Sequence, residues 1–85
     1  MKVKDGYILR HVMNSDVVMD VTGGFSGIIK LNEVSAEIWN GVAAGKSLAE
    51  IADDIAGKYE VGREQALADA EKFCHAMCEQ GFFTE

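Results

Sequence analysis

The chain contains no proline, one tryptophan, two histidines and only two cysteines, Cys74 and Cys78, among its 85 residues. Two thiols cannot build a disulfide framework, and they fall short of the four thiolates an iron–sulfur cluster takes. No stretch approaches the ~18 apolar residues of a membrane span. The opening Met1-Lys2-Val3-Lys4-Asp5-Gly6 carries charge with no long apolar run behind it, so no secretory signal is expected and the cytoplasm is the default location. Bases are also scarce, at 8 Lys+Arg against 14 Asp+Glu for a net charge of −6. That balance disfavours unassisted nucleic-acid binding, which draws its affinity from clustered Lys and Arg.

What is present is enough for one domain spanning 1–85, with 48% hydrophobic residues. So short a chain buries a modest fraction of its surface, which leaves little volume for a deep cavity beneath the core. A shallow groove or an exposed edge is the expected seat of function. Charge is unevenly spread: residues 1–32 hold four bases and three acids, and residues 33–85 hold four bases and eleven acids.

The hydrophobic pattern changes once, near residue 32, from period two to period 3.6. Tyr7 to Met13 is a strand, Asn14-Ser15 a short turn, and Asp16 to Val21 a second strand with Val17, Met19 and Val21 on one side and Asp16, Val18 and Asp20 on the other. Thr22 to Ser26 is a loop, and Gly27 to Leu31 a third strand. Asn32 suits the N-cap of a helix from Glu33 to Ala44, and Gly45 suits its end. Ser47-Leu48-Ala49-Glu50 fits a capping box for a second helix, which presents Leu48, Ile51, Ala52, Ile55 and Tyr59 on one face. A third helix from Arg63 to Gln80 carries the stripe Ala66, Leu67, Ala70, Phe73, Cys74 and Met77. Gly81 stops it, and Phe82-Phe83 folds back onto the core. A three-stranded sheet needs a cover on one face, and three helices supply it. The expected class is α+β: a winged helix-turn-helix with a three-stranded antiparallel sheet followed by three helices, β-β-β-α-α-α.

Catalytic and metal readings weaken residue by residue. Cys74 and Cys78 share a helix face beside His75, but a zinc site usually takes four ligands and only the distant His11 remains. The better reading makes Cys74 a small core residue, with Cys78 near the edge of the stripe and His75 solvated. Asp53-Asp54 and Asp69 with Glu71 lie on amphipathic helices and read as solvated faces, lacking the cleft that acid–base work requires. Gly23-Gly24 with Gly27 matches neither the dinucleotide nor the Walker spacing. Trp39 reads as a core residue beside Ile38. No metal and no cofactor is implied. What remains is the free edge of the third strand, which has no proline or charge run to block pairing, so an extended peptide can add to it as a fourth strand. A covering loop or a homodimer through the same edge remains the alternative.

Gly27-Ile28-Ile29-Lys30-Leu31-Asn32-Glu33-Val34-Ser35-Ala36-Glu37-Ile38-Trp39 resembles the signature of the PqqD-like family, in which a strand ending in Leu-Asn leads into a helix with Ile/Leu-Trp. Gly45 to Ile51, Tyr59-Glu60-Val61, Asp69 to Phe73 and Gly81-Phe82-Phe83 follow in the same order, so the likeness spans residues 7 to 83. Cys74-His75-Ala76-Met77 departs from it, where relatives carry leucines, but keeps apolar character at Cys74 and Met77. The resemblance implies a non-catalytic RiPP recognition element. Such a protein binds the leader of a ribosomally made precursor peptide and presents it to a maturase, often a radical SAM enzyme. It also implies the site: Gly27, Ile28, Ile29, Lys30 and Leu31 on the strand, with Ala66, Asp69, Ala70 and Phe73 on the third helix. Lys30 is expected to meet an acidic leader residue and Asp69 a basic or hydroxyl one. Two rivals remain open at this point: a winged-helix DNA-binding regulator, and a small carrier or catalytic subunit using Cys74 or Cys78.

Overall fold

A computed structural model describes residues 1–20 and 29–84. Val21 of the second expected strand, Gly27 and Ile28 of the third, and the loop between them lie outside the described residues. Strand β1 is Lys2–Val3, β2 is Tyr7–Val12, β3 is Ser15–Asp20 and β4 is Ile29–Leu31; helices α1 (Glu33–Ala43), α2 (Leu48–Lys58) and α3 (Arg63–Glu79) follow, and β5 is Phe83–Thr84. β2, β3 and β4 form an antiparallel sheet in that order, with the three helices after it. This is the α+β winged helix-turn-helix that the sequence pattern implies.

The local signals act as their chemistry dictates. The Asn32 side chain accepts the Ser35 N–H at 2.8 Å. Ser47 and Glu50 form both halves of a capping box. Gly45 and Gly81 close α1 and α3 with φ of +82° and +84°, a conformation that costs a side chain about 1–2 kcal/mol. Between β2 and β3 a two-residue turn places Met13 and Asn14 at φ of 49° and 67°, with Val12 opposite Ser15. Two positive φ angles give the type I′ turn, whose twist matches that of a hairpin.

One side of the sheet enters the core. Leu9, Val18 and Ile29 lie abreast across the three strands, and Val18 is fully buried. So the inward face of β3 is the one bearing Val18 between Asp16 and Asp20, while Val17 and Met19 lie on the outer face, where Val17 is still only 8% exposed. The rest of the core is Ile38, Trp39 and Val42 of α1, Ile51, Ala52 and Ile55 of α2, and Ala66, Ala70, Cys74 and Met77 of α3. α1 and α2 touch at Gly41, where an added Cβ would sit 2.6 Å from Ile51 Cγ1. Phe82 and Phe83 close the core. Phe83 lies 5.0 Å from Trp39 between ring centroids, and Phe82 meets Tyr7 edge-on at 4.8 Å. The sequence reading has no counterpart for the small β1–β5 sheet, which pairs Lys2 with Thr84 and Val3 with Phe83. It ties the start of the chain to its C-terminal aromatic pair, and the Lys4 N–H donates to the Phe82 carbonyl at 2.8 Å.

Candidate functional site

β4 pairs with β3 through Asp16–Leu31, Val17–Lys30 and Val18–Ile29. Among the described residues its other flank carries no strand. Side chains of a three-residue strand alternate, so Ile29 and Leu31 pack on the core while Lys30 projects to the outer face of the sheet. The chain then passes through Asn32 into α1. There a cleft of about 510 Å³ opens between the start of α1 and α3, lined by Asn32, Val34, Ser35 and Ile38 on one wall and Asp69, Lys72, Phe73 and Ala76 on the other. A peptide laid along β4 would arrive at the mouth of this cleft.

The four α3 residues repeat at i, i+3, i+4 and i+7, one helical stripe. The neighbouring stripe, Ala66, Ala70, Cys74 and Met77, is turned into the core. Two of the expected helix residues, Asp69 and Phe73, therefore line the cleft. Ala66 and Ala70 have no accessible surface; their side chains are too short to reach a visitor, and their size sets how closely α2 and α3 approach. Lys72 and Ala76 take their place at the cleft, with Val34 and Ser35 opposite. Lys72 stands three residues after Asp69 and Ala76 three after Phe73, and that spacing is the sequence signal for them. Phe73 is half-buried and packs edge-on against Phe83 at 6.1 Å. Of the expected strand residues, Ile29, Lys30 and Leu31 lie on the edge strand.

Electrostatics favour the same place. Three of the four bases in residues 33–85 are engaged: Lys46 with Asp54, Lys58 with Glu37 and Arg63 with Asp53. A hydrogen bond from Lys58 to Glu37 raises the lysine pKa, as one to Asp54 does for Lys46. Lys72 has no ion pair among the described residues, and neither has Lys30. The cleft and its adjoining strand thus offer two cations that no described carboxylate pairs with. Asp69, which lines the cleft, accepts a hydrogen bond from Gln65 at 2.9 Å through one of its two carboxylate oxygens.

Other candidate centres disperse. Trp39 is buried, 2% exposed. Asp53 and Asp54 are exposed and held by the pairs above. His11 Nδ1 lies 3.1 Å from Asp16 on the sheet, far from the α3 cysteines in the sequence, and among the described residues no three potential ligands gather around a point. Burial pushes the Cys74 thiol up to about 11, helped by the neighbouring Cys78. The protonated thiol is the neutral form. Its contribution to stability is therefore intact below about pH 9, the unfolded value, and is lost as pH rises toward 11. Iodoacetamide on the native protein at pH 8 is expected to label half-buried Cys78 first and to reach Cys74 only on unfolding, as read by mass spectrometry. Rapid labelling of Cys74 at that pH would restore the thiol reading.

A winged-helix domain whose outer strand, among the described residues, carries no further strand and leads into a cleft has the architecture of a peptide-docking fold. The chain belongs to the PqqD family: the family model for coenzyme PQQ synthesis protein D matches residues 15–82. Among solved structures it is similar to TbiB1 in complex with the TbiA(beta) leader peptide, at 25% identity over the whole of both chains with a TM-score of 0.81. It also shares the fold of lasso peptide synthetase B1 complexed with the leader peptide, at 23% identity, 99% of this chain and 96% of that one, TM-score 0.83. No curated protein matches the sequence. Nothing in these likenesses favours a DNA-binding regulator, and α3, with Arg63 tied to Asp53 and with Glu64, Glu71 and Glu79 exposed, presents no basic face to phosphate.

Proposed function

We propose that this chain is a non-catalytic recognition element that binds the leader of a ribosomally synthesised precursor peptide and delivers it to a modifying enzyme. The leader adds as a strand along Gly27–Leu31 and sends apolar side chains into the cleft between α1 and α3. The single observation that carries this reading is the cleft itself, opening where β4 ends and floored by Phe73 and Ile38. Backbone pairing alone is too weak. Four or five added hydrogen bonds contribute roughly 0.5–1.5 kcal/mol each, whereas micromolar affinity needs about 8 kcal/mol net of association costs. The difference comes from apolar burial in the cleft. Lys30, on the outer face, suits an acidic leader residue standing beside it across the new strand pair, and Lys72 suits one entering the cleft. Asp69 suits a basic or hydroxyl group. The modifying enzyme is a RiPP maturase, of the radical SAM class in this reading, and the encounter takes place in the cytoplasm. A homodimer through β4 would use the same edge and so would compete with the leader.

The test is calorimetric titration of the protein with the leader segment of a candidate precursor peptide found in a neighbouring reading frame. The expected result is one-to-one binding at micromolar affinity or tighter, with a period-two loss when successive leader amides are N-methylated. Tight binding indifferent to N-methylation at every position would remove strand addition from the mechanism.

A further inference from the structure

The outer face of the sheet is apolar where a small monomer can least accommodate it. Ile8 and Val12 are 36% and 46% exposed, and Met13, at the hairpin tip, is 91% exposed. With Ser15, Met19, Lys30 and Val17, itself only 8% exposed, the tip walls a trough of about 640 Å³. Met13 is doubly misplaced for a purely structural residue. It holds a left-handed conformation, φ 49°, in a turn position that favours Asn, Asp or Gly, and it offers a long apolar side chain to water. Strain kept at an exposed position is a pointer to function, and methionine is a side chain that adapts to a partner's surface.

The charge on this face narrows the occupant. Arg10 and Lys30 flank Val17 across the three strands, and no carboxylate lies on the outward positions of the described strands. In a chain of net charge −6, this is a cationic apolar island. A second copy set face to face would bring Arg10 and Lys30 against their own likenesses. A lipid surface is a poor fit as well, since two cations on an acidic protein give little attraction to anionic headgroups.

We propose that the hairpin tip and the outer sheet face form a docking surface for a second, different protein, one presenting an apolar socket for Met13 bordered by Asp or Glu for Arg10, while Lys30 stays with the leader. Resting on the function proposed above, that protein is the enzyme that acts on the delivered peptide. The sheet then serves two partners at once, the leader on the edge of β4 and the enzyme on the outer face of the hairpin, which places the delivered peptide alongside the enzyme without either partner displacing the other.

The experiment is photocrosslinking in the source cells from p-benzoylphenylalanine placed at position 13, followed by affinity measurement with the purified captured protein. Capture of one protein is expected, with Met13→Asn and Arg10→Glu each weakening it by at least about tenfold while leader affinity stays within about twofold. Met13→Asn is also expected to raise Tm, because asparagine tolerates the left-handed turn, so lost docking cannot be ascribed to unfolding. Crosslinks to a second copy, to lipid or to nothing overturn the proposal, as does a captured protein whose affinity ignores both variants. Absence of leader binding in the unmodified chain would instead overturn the proposed function, and the two results are read separately.

Discussion

Phe73→Ala is expected to weaken leader binding roughly ten- to a hundredfold. The ring lines the cleft and is only half-buried in the free protein, so a visiting apolar side chain would complete its burial. Burying such a side chain is worth about 1.5–3 kcal/mol, and each 1.4 kcal/mol is a factor of ten in Kd. Lys30→Ala makes the useful contrast. Its ammonium is exposed, so it acts through a screened pair worth up to about 1 kcal/mol, and the expected loss is no more than about fivefold and shrinks further as salt is added. Calorimetry on both variants, well below their Tm, checks the pair. Wild-type affinity in both would take this cleft out of consideration, and a larger loss for Lys30 than for Phe73 would shift the binding site from the cleft to the outer face of the sheet.

The contrast between those two residues also marks how far the sequence carries. The helix boundaries were legible because their signals are local: Asn32 accepts from Ser35, Ser47 and Glu50 reciprocate, and Gly45 and Gly81 adopt the conformation that ends a helix. The edge position of β4 was legible too, because three strands in a row leave the third outermost. The inner face of β3 was not. Its more apolar side, Val17 and Met19, is the outer one, although Val17 is itself only 8% exposed, and the buried Val18 sits between two aspartates, of which Asp16 keeps a quarter of its side chain exposed. A binary pattern assumes that one face meets water and stays polar, and a docking face breaks that assumption. The α3 side of the cleft was half legible. Ala66, Ala70 and Phe73 all belong to one broad apolar band, and only packing against α2 decides that the alanines turn in. The β1–β5 pair, two residues on each strand, is too short to show any period at all.

That short pair leads to the largest expected effect on stability. Phe83→Ala should lower stability by about 3–5 kcal/mol, the usual range for truncating a buried aromatic. In a domain of this size each kcal/mol corresponds to roughly 4–8 °C in Tm, so a fall of at least about 12 °C is expected by calorimetry, in a fold whose total stability is of the order of 5–15 kcal/mol. The site explains the size. Phe83 is 3% exposed, lies against Trp39 at 5.0 Å and Phe73 at 6.1 Å, and pairs through its backbone with Val3. Removing the ring opens a cavity that α1, α3 and the first strand all border. The milder Phe83→Leu separates the tail's two duties. Leucine keeps most of the volume, so the fold should survive with a loss of about 1 kcal/mol, but the edge-on contact that holds the Phe73 ring is gone. If the cleft floor is built on the C-terminal tail, Phe83→Leu weakens leader binding by several-fold in a protein that is still fully folded. Unchanged affinity in that variant would mean that α3 alone holds Phe73 in place and that the tail serves only the core.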